Sequence, residues 1–422
     1  MPFRLNHNRR EHSRYTKTVL DNGLRVVSEL IPHVRSVSLG IWADVGSRDE
    51  APEQNGIGHF LEHMVFKGTR KRNTREIAQS LESLGGYLNA FTTKEHTCFY
   101  ARVLDANVSE AMDVLFDLVS NATFKPQEME KEKLVVIEEL RNSQDDPEDI
   151  IHDYFEKALF PEHTLGNPII GTEENLRKFK REDLRRRLVT HYGPSALVVS
   201  AAGNVNHREL VRLVEKHSRG IRFTDRRPVR QPNTDLTQPS TFEEHRRQIK
   251  QAHVCTGTLA YSITHKQRYP LLLLNAILGE GMSSRLYQTI RERHGMAYSV
   301  YSFVSMLSDV GFFGTYVGTD KKNIKRVIDL VHEELDAMRR HSVPLAELKR
   351  TKSQIKGTMM LGLENMSGRM IRLGSTELYF GTFVEQDVIL RRIDAVTPDA
   401  IRAVADELFH PERFSTVVIR PS

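Results

Sequence analysis

Apolar residues alternate with polar ones at the beginning of the chain, and this period of two predicts strands. Residues 15–20 and 24–30 carry β-branched side chains and flank the pair Asn22-Gly23, which is typical of a tight hairpin turn. In residues 37–45, apolar side chains alternate with Ser, Gly, Trp and Asp, as expected of a strand with one buried face. The chain is therefore predicted to open with three strands.

Longer segments with apolar residues every three or four positions predict helices. These helices are expected over 57–66, 74–84, 107–120, 127–142, 148–158 and 181–191. Strands are predicted between them, at 87–92, 97–104 and 196–203. The first two hundred residues therefore form a mixed unit, and the predicted fold class is α+β.

The order of elements repeats in the second half of the chain. Strands are predicted at 251–261, 297–304 and 310–318, helices at 269–279 and 321–340, and one more helix ending near His294–Gly295. Three landmarks recur at similar offsets, namely Asp105 with Asp320, Pro126 with Pro344, and Gly86 with Gly295. Such a repeat indicates two tandem homologous domains, each a mostly antiparallel sheet packed with helices.

A segment of different composition separates the two halves. Residues 220–245 hold Pro228, Pro232 and Pro239 and few apolar side chains, as linkers do. We therefore predict an N-terminal domain over 1–222, a linker over 223–245 and a C-terminal domain over 246–422.

Composition and charge narrow the possible functions only a little. Of the 422 residues, 39% are hydrophobic, which is enough to build a core in each half and excludes a fibrous or disordered chain. Lys and Arg number 60 against 55 Asp and Glu, and the resulting charge of +5 is spread along the chain. The run Arg185–Arg187 is interpreted as a solvated helix face because no nucleic-acid motif accompanies it. No nucleic-acid partner is expected.

The cysteine content and the hydropathy of the chain indicate in which cellular compartment the protein is expected. Cys98 and Cys255 lie far apart, so no disulfide scaffold is expected. The opening residues lack the apolar run of a secretory signal, and no segment approaches the roughly 18 apolar residues of a membrane span. We therefore expect a cytoplasmic protein without a membrane partner.

The predicted helix 57–66 carries the first candidate chemistry. Besides an apolar stripe, it has a second stripe formed by His59, Glu62 and His63, which are three and four positions apart. No other charged residue lies in 56–66, so this stripe is expected to be enclosed, where ionisable groups need a partner. Zn²⁺ is such a partner, because two such histidines can bind it while the carboxylate accepts a proton from water. From the motif alone, two histidines satisfied within the core stay an alternative.

A catalytic zinc site with two histidines needs a third protein ligand. The predicted helix 127–142 contains the apolar run 134–137, expected to be buried all round, followed by Glu139. A carboxylate beside a buried turn is costly unless it is paired, so Glu139 is the candidate third ligand. A solvated glutamate is the alternative, since the helix holds five glutamates between 128 and 139.

The segment HFLEH, followed 76 residues later by Glu139 in VVIEEL, resembles the inverted zinc motif of the pitrilysin-like metallopeptidases, the inverzincins. Further segments carry the same resemblance: DNGLRV, VGSRDE, GIGHFLEHMVFKGT, LGGYLNAFTTKEHT and GMSSRLYQTIRERHGMAYSVYS. The chain is most similar to the short-subunit branch, which includes the catalytic subunit of mitochondrial processing peptidase and bacterial processing-protease homologues.

The resemblance implies roles for four residues. His59, His63 and Glu139 would bind one Zn²⁺ per chain, and Glu62 would be the general base. Zinc-bound water would give its proton to Glu62 and attack the scissile carbonyl, and Glu62 would pass the proton to the leaving amine. The implied function is a zinc endopeptidase for unfolded peptides or precursor segments. The alternative is a catalytically idle assembly subunit, against which the intact set of four residues argues.

The resemblance also implies substrate contacts in both halves. A peptide would add as a strand beside Asn89, Ala90 and Phe91, although an ordinary inner strand is the alternative. Arg291 and Tyr298, seven residues apart, match a pair that reaches the substrate from the second half. Each of them also fits a plain structural role, as a solvated helix residue and a strand core residue.

Two acidic residues of the first half are further candidates for contact with the substrate. Asp149 and Asp153 match acidic positions that hold an arginine of the substrate in related enzymes, with a solvated acidic face as the alternative.

The second half has no H-x-x-E-H motif, and the positions that correspond to Glu139 fall near Gly357–Thr358. The resemblance also implies that the zinc half of one chain faces Arg291 and Tyr298 of a second chain, so a homodimer is expected.

Overall fold

Two sheets, each covered by helices, form the framework of the chain in a computed structural model, which describes residues 14–221, 223–224, 230 and 240–422. The strands of the first sheet are β1 Arg14–Val19, β2 Arg25–Leu30, β3 Ser36–Ala43, β4 Tyr87–Thr92, β5 Thr97–Leu104 and β6 Leu197–Gly203. Their order is β1-β2-β6-β3-β5-β4, and neighbours are antiparallel except for the parallel pair β2 and β6. Strand β4 is therefore an edge strand.

The second sheet repeats this arrangement. Its strands are β7 Phe242–Arg247, β8 Ala252–Ala260, β9 Ala297–Met306, β10 Gly311–Thr319 and β11 Ser415–Pro421. They lie in the order β7-β11-β8-β10-β9, with β7 and β11 parallel and the other neighbours antiparallel. Each strand of this sheet has a counterpart in the series β2-β6-β3-β5-β4. The predicted α+β class with two tandem homologous domains is confirmed.

Helices follow the strands in matching places. The first half contains α1 Ile57–Val65, α2 Thr74–Glu82, α3 Val108–Asn121, α4 Pro126–Asp145, α5 Pro147–Leu159, α6 Glu173–Lys178, α7 Arg181–His191 and α8 His207–Ser218. The second half contains α9 Arg268–Gly279, a π-helix Tyr287–Arg293, α10 Ile324–Arg340, α11 Leu345–Gly362, α12 Met366–Phe380, α13 Gln386–Asp394 and α14 Pro398–Leu408. The helices and strands predicted from periodicity are present, whereas α6, α8, α11–α14, β7 and β11 were not assigned from the sequence.

The predicted linker coincides with the gaps in the described chain. Residues 225–229 and 231–239 of the predicted linker 223–245 lie outside the described residues. Strand β7 begins at Phe242, inside the predicted linker, and pairs with β11. The domain boundaries at 222 and 246 stay a prediction.

Each half lends one helix to the sheet of the other. Helix α5 packs on β8 and β11, where Phe155 is fully buried in a cluster with Leu259 and Val417. Helix α12 packs on β2, β3 and β6, and its Gly374 lies so close to Trp42 that an added Cβ would be 2.2 Å from the indole. This reciprocal exchange ties the two halves together and brings α5 beside the first sheet's edge.

Helix α4 corrects one expectation. The run 134–137 was expected to be buried all round, but Leu134 and Val135 are 59% and 52% exposed while Val136 and Ile137 are buried. The helix buries positions three and four residues apart and leaves the side that carries Glu139 open. The argument that burial of the preceding turn demands a partner for Glu139 was therefore wrong.

The turns of the two matching hairpins, β4–β5 and β9–β10, contact each other through buried charges. Glu95 is fully buried, and it accepts hydrogen bonds from Arg48 Nη1 at 2.6 Å and from the backbone N–H of Ser308 at 3.0 Å. The Arg48 guanidinium also pairs with Asp309 at 2.7 Å. The second half thereby holds the turn that follows edge strand β4. Within the described ranges, none of the helices is long and apolar enough to cross a bilayer.

Candidate active site

Helix α1 presents the histidine motif because its other face is anchored in the core. Ile57, Phe60 and Leu61 are at most 1% exposed and belong to the main cluster of the first half. The side chains of His59 and His63 remain 14% and 24% exposed. The motif is therefore partly enclosed, and neither imidazole is buried in the core.

The start of α1 is fixed by a buried carboxylate. Gly56 has φ 96°, a left-handed conformation that favours glycine, and it precedes the helix. Glu50 accepts the backbone N–H groups of Gly56 and Gly58, each at 2.8 Å. A carboxylate at the positive end of the helix dipole stabilises this helix start. The orientation of His59 and His63 thus rests on residues earlier in the chain.

The three predicted ligands converge. His63 Nε2 lies 3.4 Å from Glu139 Oε2, and His59 Nε2 lies 3.8 Å from Glu139 Oε1. One donor atom from each of the three residues fits within a set whose members are at most 4.8 Å apart. Ligands of a tetrahedral zinc ion with bonds of about 2.1 Å are roughly 3.4 Å apart. The residues present therefore fit zinc in both chemistry and spacing.

Glu62 is close to the ligands but is held by a different partner. Its Oε2 accepts a hydrogen bond of 2.6 Å from the hydroxyl of Thr92, the last residue of β4. Burial raises the pKa of Glu62, and the hydrogen bond from Thr92 opposes this rise. A carboxylate of raised pKa, free of the ligand set, is suited to accept a proton.

A second carboxylate, Glu132, orients His63. Glu132 Oε1 lies 2.9 Å from His63 Nδ1, and its Oε2 lies 2.7 Å from Lys67 Nζ. Such a partner fixes the tautomer, which would leave Nε2 available to bind a metal. The sequence analysis missed Glu132 because five glutamates share this helix, and only its position seven residues before Glu139 sets it apart.

The two histidines differ in their electrostatic surroundings. Burial lowers the pKa of His59 to about 4, and repulsion from His63 acts in the same direction. Burial alone would also lower the pKa of His63, but the hydrogen bond to Glu132 and the carboxylates of Glu139 and Glu62 raise it overall. His59 is therefore neutral at physiological pH, which is the form that binds a metal.

His59 and Glu139 open into a cavity of about 730 Å³ between α1, α4, α5 and the edge strand β4. The described residues that line it are His59, Glu62, Ala90, Phe91, Thr92, Lys94, Glu139, Asn142, Ser143, Asp146, Asp149, Asp153, Glu156, Ile169 and Ile170. Ala90 and Phe91 thus lie at the cavity as the peptide-binding hypothesis requires. Asn89 is exposed instead, and its amide hydrogen-bonds to the hydroxyl of Tyr87.

The two candidate arginine-binding residues lie one turn apart on α5. Asp149 and Asp153 both line the cavity, together with Glu156 one turn further on. Burial raises the pKa of Asp153 to about 6, the carboxylate of Glu156 adds to this rise, and Lys94 opposes it. The acidic residues therefore line the same cavity as His59 and Glu139.

Arg291 and Tyr298 contact each other but are separate from this cavity. The guanidinium of Arg291 stacks 4.8 Å from the ring of Tyr298 and 4.9 Å from that of Tyr287. Its Nη1 donates to the backbone oxygen of Tyr298 at 2.7 Å, and Tyr298 is 78% exposed. Neither residue is among the described residues lining the cavity of the same chain.

Two family models match the chain in sequence. The model described as insulinase, peptidase family M16, matches residues 25–173, and the model of the peptidase M16 inactive domain matches residues 178–355. Together they span both halves in the order expected from the zinc motif. The chain belongs to peptidase family M16. The predicted resemblance is confirmed, and with it the enzyme class, a metallopeptidase.

Relatives of this M16 peptidase have similar lengths. The uncharacterized zinc protease YmxG of Bacillus subtilis is 40% identical over 412 residues, covering 97% of this chain and 98% of its own. An uncharacterized zinc protease of Streptomyces coelicolor is 40% identical over 410 residues, covering 96% of this chain and 89% of its own. The two-domain unit therefore corresponds to nearly the whole of these proteins.

Solved structures share the fold at low sequence identity. A protease from Helicobacter pylori superposes with a TM-score of 0.88 at 22% identity, covering 97% of this chain and 100% of the other. A peptidase M16 inactive domain from Pseudomonas fluorescens gives a TM-score of 0.90 at 16% identity, covering 97% and 98%. These comparisons concern the arrangement of helices and sheets alone.

Proposed function

We propose that this M16 peptidase is a zinc endopeptidase that cleaves unfolded peptides or precursor segments, with one Zn²⁺ per chain held by His59, His63 and Glu139. The observation that carries the proposal is the convergence of these three side chains within 4.8 Å beside β4, which is an edge strand among the described residues. The zinc protease relatives at 40% identity support it.

The chemistry of the metal and that of the chain are complementary. When bound, Zn²⁺ lowers the pKa of water toward about 7 and polarises the scissile carbonyl. Glu62 takes the proton from the attacking water, since its carboxylate lies beside the ligands and is not one of them. Thr92 keeps Oε2 of Glu62 oriented, and Glu62 then gives the proton to the leaving amine.

The edge of β4 provides a binding mode for an extended peptide. Among the described residues, β4 has only β5 as a strand neighbour, so its other edge can take a further strand. The backbone N–H of Ala90 donates to Asn89 Oδ1 at 2.8 Å, a local contact that an added peptide would replace. A peptide added there passes Ala90 and Phe91 and approaches Glu62, because Thr92 ends the same strand. Such pairing requires an unfolded segment, which is why folded proteins are not proposed as substrates.

The separation of Arg291 and Tyr298 from the cavity supports a homodimer. If these residues contact the substrate, they must come from a second copy whose metal-free half faces the zinc half. The cytoplasmic location stays a prediction, which cell fractionation would test. A catalytically idle assembly subunit is the alternative function, and the complete set of ligands and base favours the enzyme.

A cleavage assay tests the proposal. The purified enzyme is incubated with a substrate protein in its unfolded form and, separately, with that substrate in its folded form. The products are identified by mass spectrometry. We expect cleavage of the unfolded form, its loss with a zinc chelator and its recovery when Zn²⁺ is returned. Cleavage that survives complete removal of the metal, or no cleavage by protein loaded with zinc, would contradict the proposal.

A further inference from the structure

A single lysine side chain lies among the carboxylates that line the described part of the active-site cavity. Among the described residues lining it, Lys94 is the single Lys or Arg, against the carboxylates Glu62, Glu139, Asp146, Asp149, Asp153 and Glu156. Its side chain is only 12% exposed, so it belongs to the wall rather than to the solvent. A buried ammonium among carboxylates changes how much negative charge a substrate meets there.

The contacts of Lys94 define which carboxylate it neutralises. Its Nζ lies 2.6 Å from Glu156 Oε2 and donates to the backbone oxygen of Asn167 at 2.7 Å. No ion pair joins Asp149 or Asp153 to a Lys or Arg within the part of the chain that the structure describes. Glu156 thus has a direct ionic partner within the protein, whereas Asp149 and Asp153 have none among the described residues and can pair with a substrate.

The position of Lys94 in the chain links it to the peptide edge. It follows Thr92, the end of β4, by two residues, and its backbone oxygen accepts the N–H of Arg48 at 2.9 Å. Glu95, the next residue, accepts hydrogen bonds from Arg48 and from the backbone N–H of Ser308 in the second half. The backbone that carries Lys94 is therefore fixed, and so is the location of its charge.

We infer that Lys94 is a specificity-determining residue. Asp149, Asp153 and Glu156 form an acidic wall of the cavity, and Lys94, by pairing with Glu156, limits this wall to binding one basic side chain of the substrate. The inference rests on the proposed peptidase function and adds a substrate preference to it. Without Lys94, Glu156 would gain an unpaired negative charge next to Asp153. A second Lys or Arg of the substrate would then take the place of the ammonium, since two adjacent carboxylates in a buried wall favour a cation.

The test compares three extended peptides that differ in basic residues. One has none, one has two arginines two positions apart, and one has two adjacent arginines. Alternate residues of an extended strand lie on one face and adjacent residues on opposite faces, so only the second peptide directs both arginines to the same wall. The readout is the ratio of kcat/KM for each arginine peptide to that for the neutral one.

We expect Lys94→Met to raise the ratio for the peptide with alternate arginines by about tenfold and to leave the adjacent pair nearly unchanged. The double variant Lys94→Met with Glu156→Gln removes both charges and should return the ratio to within about twofold of wild type. Lys157→Met is the matched control, because Lys157 lies next to Glu156 on α5 but is exposed and is not among the residues that line the cavity. It should leave every ratio unchanged.

An unchanged ratio in an active, zinc-loaded Lys94→Met enzyme would overturn the inference. If that variant does not fold, Glu156→Gln decides, because it leaves the ammonium unpaired and should lower the preference for arginine peptides by about tenfold; an unchanged ratio there would equally overturn it. Failure of the proposed function looks different, since wild-type protein loaded with Zn²⁺ would then cleave none of the three peptides.

Discussion

The hydroxyl of Thr92 lies 2.6 Å from Oε2 of Glu62 and donates a hydrogen bond to it. Thr92 ends β4, the edge strand proposed to pair with the peptide, and Glu62 lies on α1 between the two histidines of the proposed metal site. The strand that would hold the substrate and the carboxylate that would accept a proton are thus joined by one contact. This contact gives the first prediction.

Replacing Thr92 by Val should lower kcat by about tenfold while zinc content stays the same. A hydrogen bond to a charged group contributes about 1.5–3 kcal/mol, and its loss leaves Glu62 less well oriented. The conservative variant Thr92→Ser keeps the hydroxyl and should retain most of the activity. Steady-state kinetics with metal analysis decides, and equal kcat values for the Val and Ser variants would show that the hydrogen bond does not position Glu62.

Glu132 is predicted to strengthen zinc binding without touching the metal. Its carboxylate lies 2.9 Å from His63 Nδ1, and removing such a partner typically weakens metal affinity by about 10–100-fold. Competition with a chromophoric chelator should show this loss in Glu132→Gln. Glu130→Gln is the control, since Glu130 is exposed on the same helix and pairs only with Lys133 among the described residues. Identical affinities in all three proteins would refute the role of Glu132.

The acidic wall is predicted to select basic substrates. Exchanging both Asp149 and Asp153 for Asn should reduce kcat/KM for an arginine-containing peptide by about tenfold more than for a neutral one, because a charge-assisted contact is lost only with the former. Asp145→Asn is the control at the exposed end of α4. Parallel losses on both peptides would mean that these aspartates are a solvated face.

The same preference should depend on pH. Burial raises the pKa of Asp153 to about 6, so the group is ionised above this value and neutral below it. The wild-type ratio of kcat/KM for arginine and neutral peptides should therefore fall as the pH decreases from 7 through about 6. A ratio that stays constant over this range would show that the charge of Asp153 does not contribute.

Mixing two inactive variants tests the homodimer. Glu62→Gln lacks the base and Arg291→Ala lacks the guanidinium, so each homodimer carries the same defect in both sites. If a site combines the zinc half of one chain with Arg291 of the other, a mixed dimer regains one complete site. Activity should then appear after dissociation and reassociation. No gain over the parents, with subunit exchange confirmed by mass spectrometry, would rule out the shared site.

Local patterns in the sequence were sufficient for the helices and strands that carry the chemistry. The spacing of His59, Glu62 and His63 places them on one side of α1, since α-helical geometry alone decides this. The segment HFLEH, together with Glu139 in VVIEEL, was also enough to indicate the family. These features depend on neighbours in the chain, which is why they could be predicted.

Features that depend on contacts between distant segments could not be predicted. Nothing in residues 87–92 reveals that β4 is an edge strand, because strand order is decided by the whole sheet. The hydrogen bond from Thr92 to Glu62 and the pairing of Lys94 with Glu156 follow from that order. The exposure of Leu134 and Val135 was missed because an apolar run has the same pattern whether or not a cavity opens beside it.

The most direct test of the central claim compares zinc content and turnover in Glu62→Gln, His63→Ala and wild type. Wild type should bind about one Zn²⁺ per chain. Glu62→Gln should keep that zinc and lose at least about a hundredfold in kcat on an unfolded peptide, because only the proton acceptor is removed. His63→Ala should lose both zinc and activity. A Glu62→Gln enzyme with wild-type turnover, or a fully active wild type without metal, would contradict the account.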